Sequence, residues 1–147
     1  MFTKIVLALD GSPPSDRAFA LVRGLVGLTK ARVTVVHVRE MMIAPAVGGV
    51  PRRIDEESLE AKIQGQVDEL SAAGVEAELR VIVTTYASGP AHDIASVAKE
   101  VGADLIAVGT RGQGLISGLL LGSVTQRLLQ IAPCPILAAP AGETAGG

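Results

Sequence analysis

Tryptophan is absent, and all aromatic residues together make up 2% of the chain. Bases would have almost nothing to stack on. The formal net charge of −2 supplies no basic footprint for a phosphate backbone, which excludes nucleic acid as the expected partner. With so few aromatics the core has to be built from Val, Leu, Ile and Ala, a composition that suits a sheet covered by helices on both faces. Cysteine is nearly absent as well. Cys134 stands alone, so the chain has no internal disulfide and no cysteine metal cluster, as expected of a reducing compartment. Long hydrophobic runs are missing too. "MFTKIVLALDGS" breaks into a turn before it can span a bilayer and carries no small-residue cleavage site. A cytoplasmic protein with no membrane partner is expected.

What is present is aliphatic and periodic. With 147 residues, 48% of them apolar, the chain matches the length of one domain and is too hydrophobic for global disorder. Short β-branched runs at 4–10, 32–38, 76–83, 104–109 and 135–139 read as strands. Between them lie amphipathic segments. The first opens at Ser12-Pro13 and carries Ala18, Leu21, Val22, Leu25 and Leu28 at helical spacing. The second carries Leu59, Ile63, Val67 and Leu70 and stops at Gly74, after an acidic first turn at 55–57. The third, lined by Ile94, Val97, Ala98 and Val101, runs from about Pro90 to Gly102, and the fourth from about Leu120 to Ile131. Residues 41–51, "MMIAPAVGGVP", have no period and read as a loop. This alternation predicts one α/β domain over 1–140, a doubly wound parallel sheet with right-handed crossovers, followed by a flexible tail at 141–147. Ligands of such sheets bind beyond the carboxyl ends of the strands, where the strand order reverses. If strand 1 lies between strands 2 and 4, Asp10 and the segment after Gly109 face each other there.

That segment, "GTRGQGLISGLLLGSVTQ" (109–126), holds five glycines and one charged side chain. It is not a P-loop, because Leu115 and Ile116 stand where Lys and Ser/Thr belong. A dinucleotide fingerprint fits poorly, since Ser117 occupies the third glycine position and no acidic residue follows until Glu143. Nor is "GLISG" a nucleophile elbow around Ser117. What remains is Gly109-x-x-Gly112, nine residues, then Gly122-Ser123 opening a helix. Gly109 and Gly112 allow sharp turns and close approach. Gly122 admits a ligand to a helix N-terminus whose unpaired N–H groups favour an anion, and Ser123 adds a hydroxyl. The alternative is that the glycines only make turns and Ser123 only caps the helix.

At these residues the chain resembles the universal stress proteins. Their nucleotide-binding members carry G-2x-G-9x-G-[ST], matched by Gly109, Gly112, Gly122 and Ser123. The likeness extends over "IVLALDGSPPSDRA", "VVHV", "GPAHDIASVAKEVGADLIAVGTRG" and "LLLGSVTQRLLQIAPCPIL". It implies a five-stranded doubly wound sheet of order 3-2-1-4-5 that holds ATP, with or without Mg. By the same resemblance, Asp10 meets the ribose or adenine side and Val38 offers backbone groups to the adenine. Val108 and Gly109 flank the nucleotide, Gly112 and Gly122 approach the phosphates, and Ser123 and Val124 give them N–H groups. It also implies a homodimer through the last strand, an edge that needs such protection, and a role as a stress-response or energy-state regulator.

The remaining polar residues add little chemistry. Asp10 is either a ribose acceptor or a turn former before Gly11. Arg111 is a phosphate contact or an exposed loop charge. His37, among apolar neighbours, reads as a core or interface histidine, and His92 as exposed. Cys134, between two prolines, reads as a small buried residue. No zinc pattern, triad or general acid–base pair emerges, so no catalytic residue is assigned. The alternatives to an ATP-binding regulator are a cyclic AMP or AMP-binding signalling protein, a slow ATP hydrolase, and a structural dimer with an empty site.

Overall fold

In the computed structural model the described residues are 2–40, 56–85, 87–111 and 121–141. The expected loop at 41–51, Gly112 and nearly all of the tail therefore lie outside them. The elements alternate: β1 (Lys4–Ala8), α1 (Pro13–Thr29), β2 (Arg32–Glu40), α2 (Glu56–Ala72), β3 (Ala77–Thr84), α3 (Pro90–Val101), β4 (Leu105–Gly109), α4 (Ser123–Ile131) and β5 (Ile136–Ala139). The strands form one sheet in the order β3-β2-β1-β4-β5, and each observed pairing is parallel. β1 is central, with Leu7 opposite Val35 on one side and Ala107 on the other.

Alternate residues of each strand serve two cores. Ile5, Leu7, Val33, Val35, Leu105 and Ala107 pack with Phe19, Val22 and Val26 of α1 and Ile63, Val67 and Leu70 of α2. Val6, Val36, Ile106 and Val108 pack with Ile94, Val97 and Ala98 of α3 and Leu128 of α4. Burying such an aliphatic side chain contributes about 1.5–3 kcal/mol, and Leu7 and Ile106 are fully enclosed. One expectation fails on α1. Leu28 is 86% exposed and Leu21 38%; the two lie seven residues apart on one flank of the stripe centred on Val22, and Phe19 and Val26 fill the core instead. Helix ends follow their sequence signals. Ser12 caps α1 by accepting the Ser15 N–H, and Gly102 ends α3 at φ 67, a left-handed position that glycine occupies without strain. α4 starts at Ser123 rather than near Leu120, because the backbone at Gly122 is still extended, with φ −61 and ψ 162.

Asp104 fastens the amino end of β1 to the start of β4. Its carboxylate accepts the Thr3 N–H at 2.8 Å, the Thr3 hydroxyl at 2.9 Å and the Lys4 N–H at 3.1 Å. Burial opposes ionisation of Asp104, but these donors outweigh it and hold the carboxyl below its ordinary range. Asp104→Asn keeps the size and removes the charge, and should cost about 1 kcal/mol, or roughly 2–4 °C in Tm. Because the folded-state value is lowered, this contribution is present above the usual carboxylate range near ~4 and disappears as pH falls through the folded value. The Tm gap between wild type and variant should therefore be widest at neutral pH and close in acid, read by scanning calorimetry across that range.

Candidate functional site

The strand order places its reversal between β1 and β4, so the chain leaves β1 through α1 on one face and β4 through α4 on the other. Two residues beyond the Leu7–Ala107 pair come Leu9 and then Asp10 on one side, and Gly109 on the other. The wall on the β1 side is a tight polar turn. Asp10 Oδ1 accepts the Ser12 N–H at 2.9 Å and the Ser12 hydroxyl, which itself accepts the Ser15 N–H at 3.4 Å. The Asp10 N–H donates to Ser15 Oγ at 3.0 Å. Asp10 thus does turn work through this oxygen, and its charge sits at the N-terminus of α1, where the helix dipole favours it.

The other wall is the start of α4. Gly122 stands at the cap position without a side chain to close the helix. Its own N–H donates to the Thr110 carbonyl at 2.6 Å, and its carbonyl takes the Gln126 N–H at 3.0 Å. Among the described residues no side chain caps α4, and the first N–H groups of a helix, here those of Ser123 and Val124, have no partner within it, so the first turn offers donors and a positive dipole end to an anion. Val38, Val108 and Val124 are drawn into one apolar cluster, Val108 buried and the other two packed against it. The structure thus gathers Val38, Val108, Gly122, Ser123 and Val124 along the α4 side of the sheet's carboxyl edge and holds Asp10 on the α1 side. Gly112 lies outside the described residues, and Arg111 is exposed.

Gly109 has a tighter role than a turn alone requires. A Cβ at this position would stand 2.7 Å from Pro14 Cβ, 2.8 Å from Pro14 C and 2.9 Å from Ser15 N. The close approach it permits is to the first turn of α1. Thr125 was not singled out from the sequence, yet it is 2% exposed and its hydroxyl donates to the Gly109 carbonyl at 2.8 Å. A threonine in a first helical turn is an ordinary cap-region residue, so no sequence signal separates this long-range bond from a local one. Thr110 completes the knot, its N–H donating to Ala139 O at 2.8 Å. His37 is buried as expected, and the His92 side chain is 62% exposed. Cys134 is half-buried rather than buried, since its proline-flanked position lies at the margin of the α3–α4 core. Burial, and then the Asp104 charge, raise its thiol above the ordinary range, which keeps it from being a ready nucleophile.

The profile of the universal stress protein family matches residues 1–140. The chain belongs to the universal stress protein family. The Bacillus subtilis universal stress protein YxiE is 35% identical over 150 aligned residues, covering 93% of this chain and 98% of that one. Among solved structures, the Archaeoglobus fulgidus universal stress protein in complex with dAMP is 27% identical with a TM-score of 0.64, covering 93% of this chain and 97% of that one. A universal stress protein in complex with cAMP is 25% identical with a TM-score of 0.68, covering 96% and 98%. The five-stranded sheet described above is the fold of these universal stress proteins. No described helix is long and apolar enough to cross a membrane.

Two substitutions test the knot at the end of β4. Gly109→Ala should destabilise this universal stress protein by about 1–3 kcal/mol, since the new methyl meets backbone atoms that cannot turn aside. Thr125→Val leaves the Gly109 carbonyl unpaired and should cost about 1–3 kcal/mol, with Thr125→Ser recovering most of it. Urea unfolding measures both, and an unchanged midpoint for either would contradict the packing described.

Proposed function

We propose that this chain binds an adenine nucleotide, ATP with Mg, between the Asp10 turn and the start of α4, and acts as a stress-response or energy-state regulator in the cytoplasm. The observation that carries the proposal is the N-terminus of α4, where Gly122 stands at the cap position and no described side chain closes the helix over the Ser123 and Val124 N–H groups. Donors so placed fit a phosphate group. The 1–140 domain would hold the adenine near the Val38 backbone and the ribose near Asp10, with Val108 and Gly109 flanking the nucleotide and the phosphates against Gly112, Gly122, Ser123 and Val124. Mg would neutralise charge on the phosphates. β5 is an edge strand in the observed order, and pairing of two copies through it would form a homodimer and protect that edge.

A second reading changes the ligand and keeps the site. Solved relatives are complexes with dAMP and cAMP, and the helix N-terminus does not count phosphates. Cyclic AMP or AMP would then be the natural ligand, a matter decided by competition against ATP in one titration.

Ser123→Pro isolates the helix donors. Ser123 is the first residue of α4, where proline is well tolerated, and the extended Gly122 backbone suits the residue before a proline. The variant should fold with near-normal stability while losing the Ser123 N–H together with the hydroxyl, and Ser123→Ala, which loses the hydroxyl alone, is the reference against which it is read. ATP affinity should fall about tenfold, the equivalent of one charge-assisted hydrogen bond of ~1.4 kcal/mol. Isothermal titration with ATP-Mg reads the effect, and a flat wild-type titration would sink the proposal.

A further inference from the structure

Both carbonyls that flank Asp10 are held by side chains tied to α2. Leu9 O lies 3.0 Å from His37 Nδ1, and His37 Nε2 lies 3.2 Å from Glu56 Oε2 at the first residue of α2. Gly11 O accepts from Lys62 Nζ at 3.2 Å, and Lys62 is fixed in turn by Asp16 at 2.9 Å. His37 is 2% exposed, so water is a poor substitute for either partner of its ring. Each ring nitrogen faces an acceptor, a carbonyl on one side and a carboxylate on the other. A neutral imidazole carries one N–H and can satisfy only one of them, whereas the imidazolium donates to both.

We infer that His37 is a positioning residue for the Asp10 turn, and that its protonation regulates how tightly the site beside that turn holds a nucleotide. The inference rests on the nucleotide reading above. With the ring doubly protonated, the link from Leu9 through His37 to Glu56 is continuous and joins the turn to α2. Loss of a proton leaves one of the two acceptors facing a lone pair, and the turn and α2 are no longer braced through the ring. Charged groups face the ring from several elements. From α2 come Glu56 and, next along, Glu60. From β2 comes Arg39, which lies 2.6 Å from Glu60 and 3.8 Å from Glu56 and shares their charge. Across the turn stand Asp10 and the Lys62–Asp16 pair, and from β3 the neighbour in register is the apolar Val81. The direction follows: affinity is higher at the acidic end of the histidine range and falls as pH rises.

The test is titration of ATP-Mg into the full chain from about pH 5.5 to pH 8.5, the span over which imidazole changes charge. Wild type, His37→Gln and Glu56→Gln are compared. ATP's own protonation is common to all three and cancels in the comparison. Wild type should lose about tenfold more affinity across the range than either variant, the equivalent of one charge-assisted hydrogen bond. Equal pH profiles in the three proteins would overturn the inference. If His37→Gln fails to fold, Glu56→Gln at a half-buried position carries the comparison alone. Amide chemical shifts of Asp10 and Gly11 in ligand-free protein give a reading independent of ATP. They should move with the His37 ring signal in wild type and lose most of that movement in Glu56→Gln, and shifts that ignore the ring signal overturn the brace. Absence of ATP binding at every pH would overturn the nucleotide reading, while these shifts would still decide the brace.

Discussion

The carboxyl end of the sheet depends on a missing methyl group. Gly109 lets β4 come so close to α1 that a Cβ would strike Pro14 and the Ser15 nitrogen. That approach brings two helix starts to one strand end: α1 packs against it directly, and α4 is held through Thr125 and the Gly122–Thr110 bond. β5 joins the same point through Thr110 and Ala139. Separate the strand from α1 by the width of a methyl, and the relation between the Asp10 turn and the α4 N-terminus changes with it. A site needing two walls at fixed spacing is therefore built on backbone contact, which is stiffer than contact through rotatable side chains.

Most of the scaffold was legible because its signals are local. β-branched runs bounded by Gly and Pro mark the strands, and 3.6-residue periodicity marks α2 and α3. The buried positions Ile63, Val67, Leu70, Ile94, Val97 and Ala98 follow directly from it. α1 was less legible because it is apolar on more than one face. Leucine at helical spacing says that a residue can be buried, while the width of the covering sheet decides whether it is, and Leu28 falls outside that width. The start of α4 was placed too early for a similar reason, since Leu120 and Leu121 continue the apolar run but Gly122 keeps extended backbone.

The candidate site reads in sequence as a spacing of glycines and much less as a set of contacts. Asp10, read either as a ribose acceptor or as a turn residue, is engaged in the turn through one oxygen. The partners of Gly109 could not be foreseen, because Pro14 and Thr125 meet it only through the fold. His37 reads in sequence as one more core residue. Only the register of β2 against β1 and the path of α2 reveal that both of its nitrogens are engaged. Local pattern reports secondary structure well, while hydrogen bonds that cross the sheet are written in the topology.

The Asp104 clamp also bears on how the protein is made. It joins residues 101 positions apart, and β1, the central strand, is made before the other four. At roughly 5–20 residues per second, on the order of 5–20 s separate the synthesis of β1 from that of the strand completing its second side. Until then an aliphatic strand, Lys4–Ala8, has one edge open to wrong partners. Parallel pairing over such a separation is intrinsically slow. The nascent chain therefore spends its most vulnerable interval with the future centre of its sheet exposed as a rim.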